Sequence, residues 1–205
     1  MEKYFRWFGW PGAVVLTSLM STLALTLALF DPTPVRWICF AAMALSSVGD
    51  IFLAHLKVLN QKFKNCFTIG AVFFMASHLM YVLCYGMKLH HTGGSLLNPG
   101  AIAAGVIGLA ALILMLTLSF KTGRRQRLTL IVVYLMIILS NCAVAFAYAW
   151  AQGFCFSAVC AAVGVLSFLL SDLVIGLNLA GDIHRFDFLI WWLYPVGQVL
   201  LILGV

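Results

Sequence analysis

Ser46-Ser47-Val48-Gly49-Asp50-Ile51-Phe52-Leu53 sets a carboxylate inside an otherwise apolar run, roughly two helical turns from the run's basic end. An ionisable side chain at membrane depth is costly, so it persists where something pairs with it or uses it. The run around Asp50 is one of several close to ~20 residues long, the length of a spanning helix. Lipid offers the backbone no hydrogen-bond partners, which leaves helices or a closed barrel, and runs this long favour helices over the short alternating segments of a barrel. The expected fold is all-α: a polytopic transmembrane helical bundle.

Composition agrees. The chain has 205 residues, 64% of them hydrophobic and 9% charged, with a mean hydropathy of +1.08, values outside the range of soluble domains. The net charge of +6, from 12 basic and 6 acidic residues, would suggest nucleic acid in a soluble protein. Here no basic, aromatic-interleaved domain lies outside the apolar runs, so no nucleic-acid partner is expected and the charge reports topology. The cysteines, Cys39, Cys66, Cys84, Cys142, Cys155 and Cys160, stand singly without paired spacing, which reads as buried reduced thiols.

Seven spans are expected, over residues 12–30, 35–56, 66–87, 97–119, 128–150, 156–179 and 188–205. Lys3 and Arg6, with Phe5, Trp7, Phe8 and Trp10, form a basic flank and an aromatic belt before the first span. That span is too long for a signal peptide's apolar region and lacks a small-x-small cleavage site before Asp31-Pro32, so it is expected to be retained. Short loops and no repeat predict one compact domain over residues 1–205. With the N-terminus cytoplasmic, Lys3, Arg6, Lys57, Lys62, Lys64, Lys121, Arg124, Arg125, Arg127 and Arg185 fall inside and only Arg36 and Lys88 outside. This bias matches the positive-inside rule for seven spans, places the C-terminus outside, and predicts a multi-pass protein of the inner membrane if the source is bacterial.

Topology converts sequence position into depth. Asp50 and Asp172 each stand a similar number of residues before the cytoplasmic end of their spans, so they are expected to share one layer roughly 10 Å below that surface. Near it fall Tyr134 and Asn141 (i, i+7), Tyr194 and Gln198 (i, i+4), and, somewhat deeper, His78 and Tyr81 (i, i+3), with Ser46 four residues before Asp50. Each pair shares a helix face, and intramembrane polar faces turn to the bundle interior. Singly, Ser46, Asn141 and Gln198 are as compatible with helix-joining hydrogen bonds as with function, and His78 with a bonded core histidine. Two aspartates at one depth point to chemistry. Asp31, Asp182 and Asp187 read as loop residues.

Other chemistries find less support. A transmembrane zinc hydrolase needs about three ligands, whereas of the five histidines only His78 lies within a span. His55 is at a helix end, and His90, His91 and His184 are in loops. No G-x-S-x-G turn, P-loop, dinucleotide fingerprint or membrane-embedded lysine occurs. No metal and no cofactor are expected.

Taken together, Ser46-x-x-Gly49-Asp50-x-x-Leu53, the set Gly70, Phe74, His78 and Tyr81, then Tyr134, Ser171-Asp172 with Asn178, and Tyr194 with Gln198 resemble the lysoplasmalogenase (YhhN-like) family of integral membrane enzymes. The resemblance runs from the second helix to the end, and its specificity lies in the order and spacing of the motifs. Family members usually have eight helices, one more than the seven expected here, and the difference falls at the N-terminal side. The resemblance implies hydrolysis of the vinyl ether bond of a lysoplasmalogen, a 1-alkenyl glycerophosphoethanolamine or glycerophosphocholine, to a fatty aldehyde and the glycerophospho-base.

The residues suit that chemistry on their own terms. Protonating the β-carbon of a vinyl ether creates an oxocarbenium ion that water captures, and the hemiacetal collapses. One group must donate the proton and one must steady the cation or take the water's proton, and Asp50 and Asp172 supply both roles. Desolvation and mutual repulsion favour one proton held by the pair near neutral pH, with the assignment between them open. The alkenyl chain is expected among Leu53, Phe73, Phe74 and Leu173, and the headgroup at the cytoplasmic mouth. Lys57, Lys62, Lys64, Arg124 and Arg125 there read mainly as topology determinants or contacts to anionic membrane lipids. Ser46, His78, Tyr81, Tyr134, Asn141, Asn178, Tyr194 and Gln198 are the expected substrate-binding residues. The competing reading is a small proton-coupled transporter using the aspartates as a relay, against which no inverted repeat is evident. A seven-helix receptor fits the short loops less well.

Overall fold

The computed structural model describes residues 6–7, 10–54, 57–123 and 128–205. Lys3, Phe5, Phe8, His55, Arg124, Arg125 and Arg127 lie outside the described residues, as do the side chains of Arg6, Trp7, Trp10 and Lys57. Apart from a two-residue antiparallel pairing of Arg6–Trp7 (β1) with Trp10–Pro11 (β2), the described chain is helical. Seven long helices are α1 (Gly12–Phe30), α2 (Pro34–Leu53), α4 (Cys66–His91), α5 (Pro99–Thr122), α6 (Leu128–Ala151), α7 (Phe156–Gly181) and α8 (Asp187–Leu203), with a short α3 (Lys57–Lys62) after α2. The all-α expectation and the count of seven therefore hold. Five of them, α2 and α4 to α7, are long and apolar enough to cross a membrane, while the apolar stretches Val14–Phe30 and Asp187–Leu203 are shorter. The protein is an integral, multi-pass membrane protein.

Local chemistry sets the boundaries. Thr33 and Asn98 cap α2 and α5, their side chains accepting the Arg36 and Ala101 amides, and each is followed by proline at the first helical position, where a missing N–H costs nothing. Gly123 ends α5 in the left-handed conformation (φ 71°) that a residue without Cβ adopts freely. Asp182 ends α7 in the same region (φ 58°), its N–H returning to the Asn178 carbonyl. The large exposed side chains are apolar, including Leu97, Phe30, Phe156 and Trp192 at 72–92% exposure, which lipid tolerates and water would not.

The chain divides into two compact units, Met1–Cys84 and Tyr85–Val205, α4 beginning in the first and ending in the second. In the first, α1 packs on α2 through a polar contact: the Ser21 and Ser47 hydroxyls are 2.5 Å apart, and Ser47 Oγ also lies against the Thr17 carbonyl at 3.0 Å. Helix α2 meets α4 where Gly49 and Gly70 let the backbones approach. A Cβ on Gly49 would stand 3.2 Å from the Gly70 oxygen, and one on Gly70 3.0 Å from the Gly49 oxygen. Phe74 and Leu53 close this crossing by packing onto the opposite glycine. Phe73 instead stacks on Phe52 at 5.8 Å.

The second unit holds α5 to α8. Helices α7 and α8 pack most intimately, with small residues in register: a Cβ on Gly164 would be 2.9 Å from the Leu201 nitrogen, and one on Gly197 3.1 Å from the Gly164 oxygen. Lys88 donates to the Gly204 and Val205 carbonyls at 3.0 and 2.7 Å, the favoured place for a cation at a helix C-terminus. Arg36, in the first unit, pairs with Asp31 at 2.9 Å. Five cysteines are buried and free, and Cys155, expected buried, is exposed because it precedes α7 in the turn.

Candidate functional site

The polar residues collect on one buried stripe of each helix that carries them. On α2 the buried positions are Cys39, Ala42, Met43, Ser46, Gly49 and Asp50, a 3–4 spacing that makes one face. Asp50 is 6% exposed and Ser46 fully buried. On α4, Phe74, Ser77, His78, Tyr81, Cys84 and Tyr85 are buried in the same rhythm. The Ser46 hydroxyl meets that of Ser77 at 2.8 Å, fixing the rotation of α2 against α4 one turn from Asp50. Ser77 was not among the expected residues. Its signal was its place on the Gly70–Phe74 face, seven and three residues along.

Asp50 stands three residues before the last residue of α2 and its carbonyl accepts the Ala54 N–H that caps the helix. Asp172 stands nine residues before the last residue of α7. At about 1.5 Å per residue these are roughly 4–5 and 13–14 Å. Helix α2 ends earlier than hydropathy suggested and α7 later, so residue counts from the helix ends do not by themselves set the two aspartates at one depth.

In the second unit Tyr134 on α6 donates its hydroxyl proton to Asp172 Oδ2 on α7, at 2.5 Å. Both side chains are half-buried, and Ser171, next to Asp172, is fully buried. Four residues before Asp172, Phe168 receives the ring of Tyr194 edge-on at 5.1 Å between centroids. Tyr194 accepts the Gln198 amide at 2.7 Å, which makes the expected i, i+4 pair a hydrogen-bonded unit. Pro195 between them removes one bond of the helix ladder, the usual cause of a local bend. Asn141 is fully buried on the α6 face that carries Tyr134. Asn178 has a different setting: its amide donates to Asp187 Oδ1 at 2.7 Å, tying the end of α7 to the start of α8.

Among the described residues no set of three His, Cys, Asp or Glu side chains is placed to hold a metal ion. Each unit carries one aspartate within an apolar helix, Asp50 one turn from Ser46 in the first and Asp172 bonded to the Tyr134 phenol in the second.

Comparison with curated proteins and with solved structures returns no match. A family model, that of the YhhN family, matches residues 12–205, and the match takes in α1 as well as the helices from α2 onward that carry the motifs. With nearly the whole chain matched, and with its acidic and aromatic motifs set on buried faces of membrane helices, the protein belongs to the YhhN family, which includes lysoplasmalogenases.

Proposed function

We propose that the protein is an intramembrane hydrolase that cleaves the vinyl ether bond of a lysoplasmalogen, using Asp50 and Asp172 for acid and base work. The observation that carries the reading is an aspartate held by a phenol inside a membrane helix, Asp172 with Tyr134, in a chain of a family that includes such enzymes. Asp50, 6% exposed on the buried face of α2, is the other carboxyl group that the reading uses. One carboxyl group protonates the vinyl carbon distal to oxygen, and the other steadies the oxocarbenium ion and deprotonates the water that captures it. Collapse of the hemiacetal releases aldehyde and glycerol hydroxyl.

Ser46, His78, Tyr81, Asn141, Tyr194 and Gln198 belong in this reading to the polar lining that orients the glycerol and the water. Lys62 and Lys64, expected on the cytoplasmic side, are exposed and suited to a phosphate. The membrane itself supplies and receives the lipid partners. Incubating purified protein with a lysoplasmalogen and with the matching ester lysophospholipid, followed by mass spectrometry, tests the reading. Fatty aldehyde from the first and no fatty acid from the second is the expected result. Fatty acid alone would make the protein a lysophospholipase, and neither product would remove the hydrolase reading.

A further inference from the structure

We infer that Tyr134 is a positioning residue that holds the Asp172 carboxyl group in the orientation its acid–base step needs. This rests on the vinyl ether reading above and adds a residue to it.

A phenol has a single proton, and that of Tyr134 is given to Asp172 Oδ2 at 2.5 Å, the short end of the range for a hydroxyl on a carboxylate. The Tyr134 proton is therefore committed to Asp172 rather than to a glycerol hydroxyl, which replaces the expectation that Tyr134 binds substrate directly. The bond also spans two helices. Leu135 and Ile138 beside Tyr134, and Ser171 and Val174 beside Asp172, are buried, so neither backbone can turn to release the other, and the carboxylate is locked in one orientation.

The experiment compares wild type with Tyr134→Phe and, as a control, Tyr85→Phe. Tyr85 also spends its hydroxyl on a buried contact, to the Leu201 carbonyl at 3.0 Å, and has no role in the proposed chemistry. Steady-state aldehyde release should fall about 10- to 100-fold in kcat for Tyr134→Phe, with KM within about twofold, and should stay at the wild-type value for Tyr85→Phe. Infrared spectra of protein labelled with carboxyl-¹³C aspartate, with bands assigned through Asp172→Asn, should show the Asp172 band shifted in Tyr134→Phe and unshifted in Tyr85→Phe. A raised KM with kcat retained, an unchanged Tyr134→Phe, an equal loss in Tyr85→Phe, or an Asp172 band unmoved by Tyr134→Phe would each overturn the inference while leaving hydrolysis standing. Wild-type protein that releases no aldehyde removes the underlying reading and this inference together.

Discussion

Gly49 on α2 and Gly70 on α4 meet backbone to backbone, each leaving about 3 Å between the other's carbonyl oxygen and the place a Cβ would take. This contact, one residue from Asp50, sets where the acid group stands relative to His78 and Tyr81 on α4. Gly49→Ala would also press on the Phe74 ring at 2.8 Å, and Gly70→Ala on Leu53 at 2.9 Å. Each should cost roughly 1–3 kcal/mol, the usual penalty of overpacking. Gly86→Ala on the same helix meets nothing within 4 Å and should be neutral or stabilising by up to ~1 kcal/mol, through helix propensity. Thermal unfolding in detergent checks the contrast, and equal effects at all three positions would show that the crossing is not tight.

The Ser46–Ser77 bond offers a way to separate a structural hydroxyl from a binding one. Ser46→Ala and Ser77→Ala should each lose about 1 kcal/mol of stability, with the double variant losing less than the two added together because they share one bond. KM for lysoplasmalogen should rise several-fold in Ser46→Ala and stay unchanged in Ser77→Ala. An unchanged KM in Ser46→Ala would leave its hydroxyl to helix packing alone.

Replacing Asp50 or Asp172 by asparagine preserves shape and removes the acid. Each should reduce aldehyde release by about 10²–10⁴-fold, the span of general acid–base catalysis, while gel-filtration behaviour and helical content stay as in wild type. Asp172→Asn keeps an oxygen able to accept from Tyr134, so its fold should be the less disturbed. Wild-type turnover in either variant would exclude that aspartate from the chemistry.

The proposed orientation is open to a direct reading. A reporter fused after Val205 should be active only on the non-cytoplasmic side, and one fused before Met1 only in the cytoplasm, as seven crossings and the basic-residue bias require. Both reporters on one side would mean that one of the two shorter apolar stretches, Val14–Phe30 or Asp187–Leu203, does not cross.

Much of this was legible in the residues because membranes make hydropathy a strong signal. The span from 12 to 30 was read to the residue and the others to within a few residues, since apolar length, proline at helix starts and Gly123 at a helix end act locally. Polar faces were legible too, as i, i+3 and i, i+4 pairs on apolar helices. Hydropathy cannot see where a helix ends among residues of similar polarity, and α2 stops at Leu53 through a cap formed by Ala54 on the Asp50 carbonyl. That shortening changed the depth assigned to Asp50.

Fold class, the number of long helices and the identity of the two intramembrane aspartates are legible in the residues alone, because each follows from transfer energies and from periods within one segment. Partnerships between helices depend on rotation and close approach, which no single segment encodes. The packed helices were needed to show that Ser46 meets Ser77, that Phe74 and Leu53 pack onto a glycine crossing, that Asn178 ties down Asp187, and that Tyr134 bonds Asp172.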